Sequence, residues 1–582
     1  MFVGEKRMSS YWKVWSAVLL FAVIVFITAN ILGLQYTQHT LTSNNGHFYR
    51  QKKPTTRSLP LQDDIEIRNS NYNGTIIQDH GKQWNISLAV RSSRGRTSPL
   101  KTKITLAQDE NGVYRGDFIT FKISARDVYD RLRVFGGDLW YATMYDQKSK
   151  FGTMGKVVDH NDGTYSAHFY AGNAGTVAFR FVLVLQREAI TFQRNFLRTT
   201  EMRAAWTGTF ISGNVTEKSN CFLVREGTWK DKCEFPHPKA LGKSTFLCDP
   251  PKSLPCNTMS LITVNGKSGA TVTMNTETKS LFQSWNANQK VTSSPTRLNI
   301  KERGTSAVRD TDIYTIPSCE ADLKAPLSDG YWLKDRWVSL VCQNRKWNDV
   351  IEVQQCLQNK EIYFLGDSTT RQWFQMMVEV VGYPINVTDR NWRPRVKSIP
   401  DEYLVTGEDD YHWNIQDLRN NITMKYRHHA LSRHSQIPIH RFPYVVDVLD
   451  DLKAPQCNYI ILISLWAHFN TWTLDSFHER LINIQKGLVR LRERCPNLMV
   501  AVKGPHDRGD VRGYWILYDM IRILKEVFVG HKVFFIDIWD MNFAYAFAQK
   551  KRIQIHMPME LIREEVFMFL SHVCEQRSTK LE

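Results

Sequence analysis

Apolar and polar positions follow two different patterns in the two halves of this chain. In the first half they alternate. Asp117-Phe118-Ile119-Thr120-Phe121-Lys122-Ile123 has the period of two expected of a half-buried strand. Gly163-Thr164-Tyr165-Ser166-Ala167-His168-Phe169-Tyr170 and residues 175–184 repeat it, with turn residues between them at 159–163 and 171–173. Short alternating strands at regular spacing predict a β-sandwich over 85–215.

The second half has continuous apolar runs separated by helical stripes. Glu361–Leu365, Tyr459–Leu465, Leu498–Val502 and Val533–Ile538 predict strands covered on both faces. After Gly366-Asp367-Ser368, the residues Phe374, Met377, Val378 and Val381 recur at helical spacing, and residues 475–494, 513–528 and 558–573 form further helices. This order predicts an α/β domain over 358–582, built on a parallel sheet with helices on both faces. Between the two halves, residues 216–357 hold seven of the ten cysteines and form a loop-rich connection.

The N-terminus changes the setting. Val14 to Leu34 contains no charged residue and is long enough to span a bilayer as a single helix. Lys6, Arg7 and Lys13 precede it, and no Lys or Arg follows before Arg50. Residues 1–13 are therefore expected in the cytosol, 14–34 in the membrane as a type II signal anchor, and 35–84 as a polar stem outside. A cleaved signal peptide, and so secretion, is the competing reading. Ten cysteines with no C-x-x-C pair suit disulfides in an oxidising lumen and no metal site. Asn73, Asn85, Asn214, Asn386 and Asn421 stand in N-x-S/T glycosylation patterns. Net charge is +17, which with an anchor and disulfides points away from nucleic acid and towards anionic glycans or an acidic membrane surface.

The candidate chemistry starts at Ser368. It sits between a buried strand and a helix, where free N–H groups can receive an oxyanion. Asp367 is expected to organise that turn. Ser368, His468, Asp537, Asp540 and His556 all follow predicted strand ends, where the sites of such sheets lie.

Leu365-Gly366-Asp367-Ser368 opening such a domain resembles the SGNH/GDSL hydrolases, and within them the PC-esterases. The close of the chain, Ile536-Asp537-Ile538-Trp539-Asp540-Met541, then His556, then Met568-Phe569-Leu570 up to Cys574, is similar to that of the NXPE family, which joins a neurexophilin-like region to a PC-esterase domain. The D-x-x-D-G-T-Y run at 159–165 also resembles filamin-type immunoglobulin repeats. Together these imply an N-terminal all-β immunoglobulin-like sandwich followed by an α/β SGNH-like parallel-sheet domain.

The resemblance implies acyl transfer on glycan hydroxyls, as a carbohydrate O-acetyltransferase or an esterase, with sialic acid as a candidate acceptor. Ser368 is the nucleophile and His556 the base, with Asp540 or Asp537 as orienter. Gly366 and the Ser368 N–H lie at the oxyanion site with His468, and Arg371 is a candidate for an acidic substrate group. No cofactor is bound, and acetyl-CoA is the candidate acyl donor. The implied location is the Golgi or another secretory-pathway membrane, with the sandwich open to a protein partner. Two departures stand out: Ile553 occupies the place where many SGNH enzymes carry the triad Asp, and Leu465-Trp466-Ala467-His468-Phe469-Asn470 replaces their Gly and Asn region. They leave room for a rival, an inactive neurexophilin-like adhesion or ligand-binding glycoprotein.

Overall fold

The computed structural model describes residues 95–199, 205–225, 227–265, 276–283, 288–303, 315–384, 400–409, 411–431, 437–438, 443–453, 457–469, 472–508 and 514–574. The expected anchor at 14–34, its tail and stem, and the sequons at Asn73, Asn85 and Asn386 lie outside these residues. Among those described, no helix is long and apolar enough to cross a membrane.

The first half corrects the expectation of a self-contained immunoglobulin-like sandwich. Six strands between Lys103 and Leu185 join Gln289–Val291, Ser293–Ser294, Arg297–Ile300, Gly330–Leu333 and Arg336–Ser339 in one eleven-stranded sheet. Gln289–Val291 closes one end of the main strand path and Ser293–Ser294 the other. These two strands are almost contiguous in sequence, so the sheet curls into a barrel-like layer. Its interior is the aromatic cluster of Phe121, Phe169, Phe179 and Phe181. The later strands are only two to four residues long, too short to show a local alternation. A second, six-stranded sheet runs from Ala205 to Asn265 and adds Ile437–Pro438. Cys221–Cys248 and Cys233–Cys256 staple it, and Cys221 and Cys248 are cross-strand neighbours.

The C-terminal sheet corrects the expectation of an all-parallel one. Its strands are β1 (Glu361–Gly366), β2 (Tyr403–Asp409), β3 (His412–Asp417), β4 (Ile422–His428), β5 (Tyr459–Ser464), β6 (Met499–Lys503) and β7 (Phe534–Ile536). They lie in the order β2-β3-β4-β1-β5-β6-β7. The run β4-β1-β5-β6-β7 is parallel, whereas β2 and β3 pair antiparallel at the β4 edge. These two strands are near neighbours in sequence with no helix between them, so no helical signal announced the pair.

Both faces of the parallel core are buried, with alternate residues pointing to opposite sides. Ile362, Phe364 and Leu462 face α1 (Ser368–Val380) and a C-terminal helix, whereas Leu365, Ile461 and Ile463 face Leu481, Ile484 and Leu488 of α2 (Leu474–Arg494). After β7 come α3 (Trp539–Ala548) and α4 (Met559–Val573), the C-terminal helix. Helix α3 packs on the barrel-like sheet. The Tyr141 and Phe543 rings meet edge to face at 4.7 Å, and a Cβ on Gly152 would strike the backbone of Ala544. Cys356–Cys574 joins the segment before β1 to the end of α4, and Cys319–Cys342 and Cys457–Cys495 complete the five bridges.

Candidate active site

Strand register builds the site. Gly366 at the end of β1 stands opposite His428 on β4 and Ser464 on β5. The turns leaving these three strands therefore share one edge of the sheet. Gly366 is required there because a Cβ would collide with the Thr370 side chain and the Ser464 carbonyl. Asp367, fully buried, caps α1: its carboxylate accepts from Thr369 N–H at 2.8 Å and from the Thr369 hydroxyl at 2.7 Å. Its other oxygen accepts from Ala467 N–H at 3.1 Å, tying the β5 turn to the β1 turn.

The Thr369 hydroxyl is a junction. Besides donating to Asp367, it accepts from Trp466 Nε1 and from Lys503 Nζ, each at 3.2 Å. Burial drives the Asp367 carboxyl upward, but the nearby His468, the Lys503 ammonium and the Thr369 hydroxyl outweigh it, and the net shift is downward. Burial holds the Lys503 ammonium below its ordinary value against the pull of Glu565 and Asp367. Glu565, also buried, accepts from Trp373 Nε1 and Asn542 Nδ2.

Ser368 occupies the first turn of α1, half-buried, where its N–H has no carbonyl to bond within the helix. His556 reaches it from the loop between α3 and α4, with Nε2 2.8 Å from Ser368 Oγ across 188 positions of chain. That loop is fixed on either side of the ring. Gln372 Nε2 donates to the Met557 carbonyl at 2.8 Å, and His506 Nε2 donates to the Ile555 carbonyl at 2.9 Å. Partial desolvation of the His556 ring and the Arg371 guanidinium lower its pKa, only partly opposed by Asp367. A histidine neutral at neutral pH can accept the serine proton.

Neither expected orienter reaches His556. Asp537 pairs with Lys525 at 2.8 Å and accepts from Trp539 N–H. Asp540 belongs to a buried charge group with Asp329 and Lys156, contributed by the barrel-like layer. Asp540 therefore ties α3 to the first half, whereas Asp537 is held within the C-terminal half. Among the described residues, no carboxylate bonds Nδ1 of His556. His468 lies in the β5 turn, its Nδ1 3.0 Å from His429 Nε2. Arg371 is buried in α1.

Residues 337–574 match the family model described as NXPE family member 4-like, C-terminal domain, and residues 122–282 match the neurexophilin model. The chain belongs to the NXPE family. A solved structure of FdeC, an Escherichia coli adhesin, is similar at 12% identity over 35% of this NXPE-family chain, with a TM-score of 0.13. The match spans 65% of the adhesin chain, and at that score it carries no argument.

In this NXPE-family chain the Asn214 and Asn421 sequons are exposed, at a hairpin turn and at the entry to β4. A polar cavity of about 460 Å³, lined in part by Lys360, Glu361, Thr423 and Asn458, opens at the opposite ends of β1, β4 and β5, away from Ser368. Sequence reasoning missed Gln372, His428, His429, Lys503 and His506. Lys503 and His506 follow the end of the apolar run 498–502, so the rule that sites lie past strand ends applied to them too.

Proposed function

We propose that this chain transfers acyl groups to or from glycan hydroxyls through a Ser368–His556 dyad. The observation that carries the reading is the 2.8 Å contact between His556 Nε2 and Ser368 Oγ, at a helix start with an unspent N–H. Ser368 Oγ attacks the acyl carbonyl carbon while His556 Nε2 takes its proton. The carbonyl electrons move to oxygen beside the Ser368 N–H. Collapse expels the leaving group, which recovers the proton from His556. A second attack on the acyl-serine, by a sugar hydroxyl or by water, reverses these proton movements and frees Ser368. In place of an orienting carboxylate, the bonds from Gln372 and His506 hold the imidazole loop.

The donor fitting this chemistry is a thioester such as acetyl-CoA, and the acceptor an anionic glycan such as a sialoglycan, since the chain carries a net charge of +17. Five disulfides suit an oxidising lumen, and the setting proposed for this work is a Golgi membrane. That no carboxylate among the described residues bonds His556 Nδ1 favours a second reading, an inactive binding glycoprotein. Expression of Ser368→Ala beside wild type, with cell-surface sialoglycan O-acetylation as readout, decides between them. A loss of the wild-type increment supports transfer. Equal acyl levels with both chains folded overturn it.

A further inference from the structure

Three histidines gather beside the nucleophile turn in a way the acyl-transfer reading does not use. His428 ends β4, His429 follows it, and His468 lies in the turn after β5. One ring nitrogen from each lies within 4.8 Å of one from each of the others. His428 and His429 are buried at 0% and 1% exposure, and His468 is half-buried.

Hydrogen bonds dictate the tautomers. The Ala430 carbonyl can only accept, so His429 Nδ1 carries the hydrogen that bonds it at 2.9 Å, and Nε2 keeps the lone pair. The Asp367 carbonyl likewise only accepts, so the Tyr426 hydroxyl donates to it at 3.1 Å. Tyr426 then accepts from His428 Nδ1–H at 2.8 Å, which leaves the lone pair on His428 Nε2. A ring N–H committed to a carbonyl or hydroxyl, with the other nitrogen facing inward, is how proteins hold metal-ligating histidines.

We propose that His428, His429 and His468 form a zinc(II) site beside the turn that carries Ser368. The proposal goes beyond the acyl-transfer reading and does not rest on it. Imidazole ligands suit zinc, and zinc sites built on three protein ligands are those that keep a water in the fourth position. No thiolate competes, because the described cysteines are all in disulfides. The 3.0 Å between His429 Nε2 and His468 Nδ1 is close to the separation of about 3.3 Å between two nitrogens on a tetrahedral zinc. Zinc takes the place of the hydrogen bridging them, which leaves His468 Nδ1 for Nε2 of the same ring or for solvent. The Asp367 carboxylate nearby offsets part of the added charge, while the Arg480 guanidinium, bonded to the Ala430 carbonyl, opposes it. Bound metal would brace the chain from His428 through Tyr426 to the Asp367 carbonyl, and so the turn itself.

The test is metal content of the full-length chain, purified in detergent without chelator and dialysed against zinc chloride. Wild type and His556→Gln are expected to hold about one zinc per chain, with His429→Gln and His468→Gln falling at least about tenfold. Cobalt(II) loading of wild type is expected to give the visible absorption of a tetrahedral nitrogen site. This second measurement, with the half-buried His468→Gln, decides the matter even where His429→Gln does not fold. Wild type that takes up neither metal, or His468→Gln with wild-type zinc content, overturns the proposal.

Discussion

Gln372 Nε2 donates to the carbonyl of Met557 at 2.8 Å, so the helix that starts at Ser368 also holds the loop that brings His556 to it. Nucleophile and base are thus referenced to one rigid element. Gln372→Leu removes the donor and leaves a buried carbonyl unpaired, at a stability cost of about 1–2 kcal/mol. Because a small misplacement of a reacting group is expensive, kcat is expected to fall roughly tenfold or more with little change in KM. Steady-state kinetics on the purified variant checks the split, and an unchanged kcat would show that the loop holds its place without this bond.

Asp367 supports the turn from beneath rather than reacting. Its carboxylate satisfies Thr369 N–H, the Thr369 hydroxyl and Ala467 N–H in a fully buried setting. Asp367→Asn is expected to cost on the order of 2–4 kcal/mol, because an amide cannot accept from all three and leaves Lys503 less compensated. The carboxyl's folded pKa lies below its ordinary value. Its stabilising contribution is therefore full above the ordinary value and is lost as pH falls through the folded one. Denaturation as a function of pH on wild type and variant measures this: the acid limb should flatten in Asp367→Asn.

Much of the candidate site was legible because its members stand at chain positions with local signals. The apolar run 361–365, the turn Gly366-Asp367-Ser368 and the helical stripe after it define β1 and α1, and the helix expected over 475–494 runs from Leu474 to Arg494. What was not legible depends on partners distant in sequence. Asp537 and Asp540 follow a strand as a triad acid would, yet they answer to Lys525, and to Lys156 and Asp329 across the molecule. The strands at 289–300 and 330–333 pair with residues more than a hundred positions earlier, and strands of two to four residues carry little periodicity of their own. His428 ends β4 and His429 follows it, and the neighbours of β4 lie at 361–366 and 412–417, so nothing local to the two histidines pointed to the Ser368 turn.

Arg371 and His556 give a pH test. The guanidinium is among the groups that hold His556 below its ordinary value, after desolvation. If His556 works as the base, activity rises with pH through a limb below the ordinary histidine pKa and is level at neutrality. Arg371→Gln removes one of the lowering influences, so the limb should move up towards that ordinary value. A pH–rate profile of both proteins reads the shift. A variant that keeps its limb but needs more anionic acceptor would place Arg371 in substrate binding instead.

The two aspartates excluded from the dyad should behave differently from each other. Asp537 is held ionised against the upward push of burial, chiefly by Lys525, so Asp537→Asn leaves that ammonium unpaired and lowers the melting temperature. Burial and then the neighbouring Asp329 raise the Asp540 carboxyl well above its ordinary range. Its ionisation therefore opposes folding, and stability is lost as pH rises through the folded pKa. Asp540→Asn mimics the protonated form and should melt at or above wild type, most clearly in alkaline buffer. Neither change should alter kcat in the folded fraction. A collapse of kcat with intact folding in either variant would return that residue to the reaction.

The Cys356–Cys574 bridge makes the last prediction. It joins positions 218 residues apart and closes a loop containing every strand of the C-terminal sheet. The chain-entropy account gives a bridge over so long a loop about 5 kcal/mol, towards the upper end of what disulfides deliver. It also pins the end of α4, whose Phe569 packs against Trp373 of α1 with ring centres 5.9 Å apart. Removing it frees the helix end but leaves the Gln372 and His506 bonds that hold the His556 loop. A Cys356→Ala, Cys574→Ala double variant should therefore melt roughly 10 °C lower while its folded fraction keeps the wild-type kcat. Thermal denaturation and activity at a temperature below both transitions separate the two effects. A variant that melts with wild type would mean that packing alone closes this loop, and one that loses kcat while folded would mean that the far end of α4 helps to set the distance between His556 and Ser368.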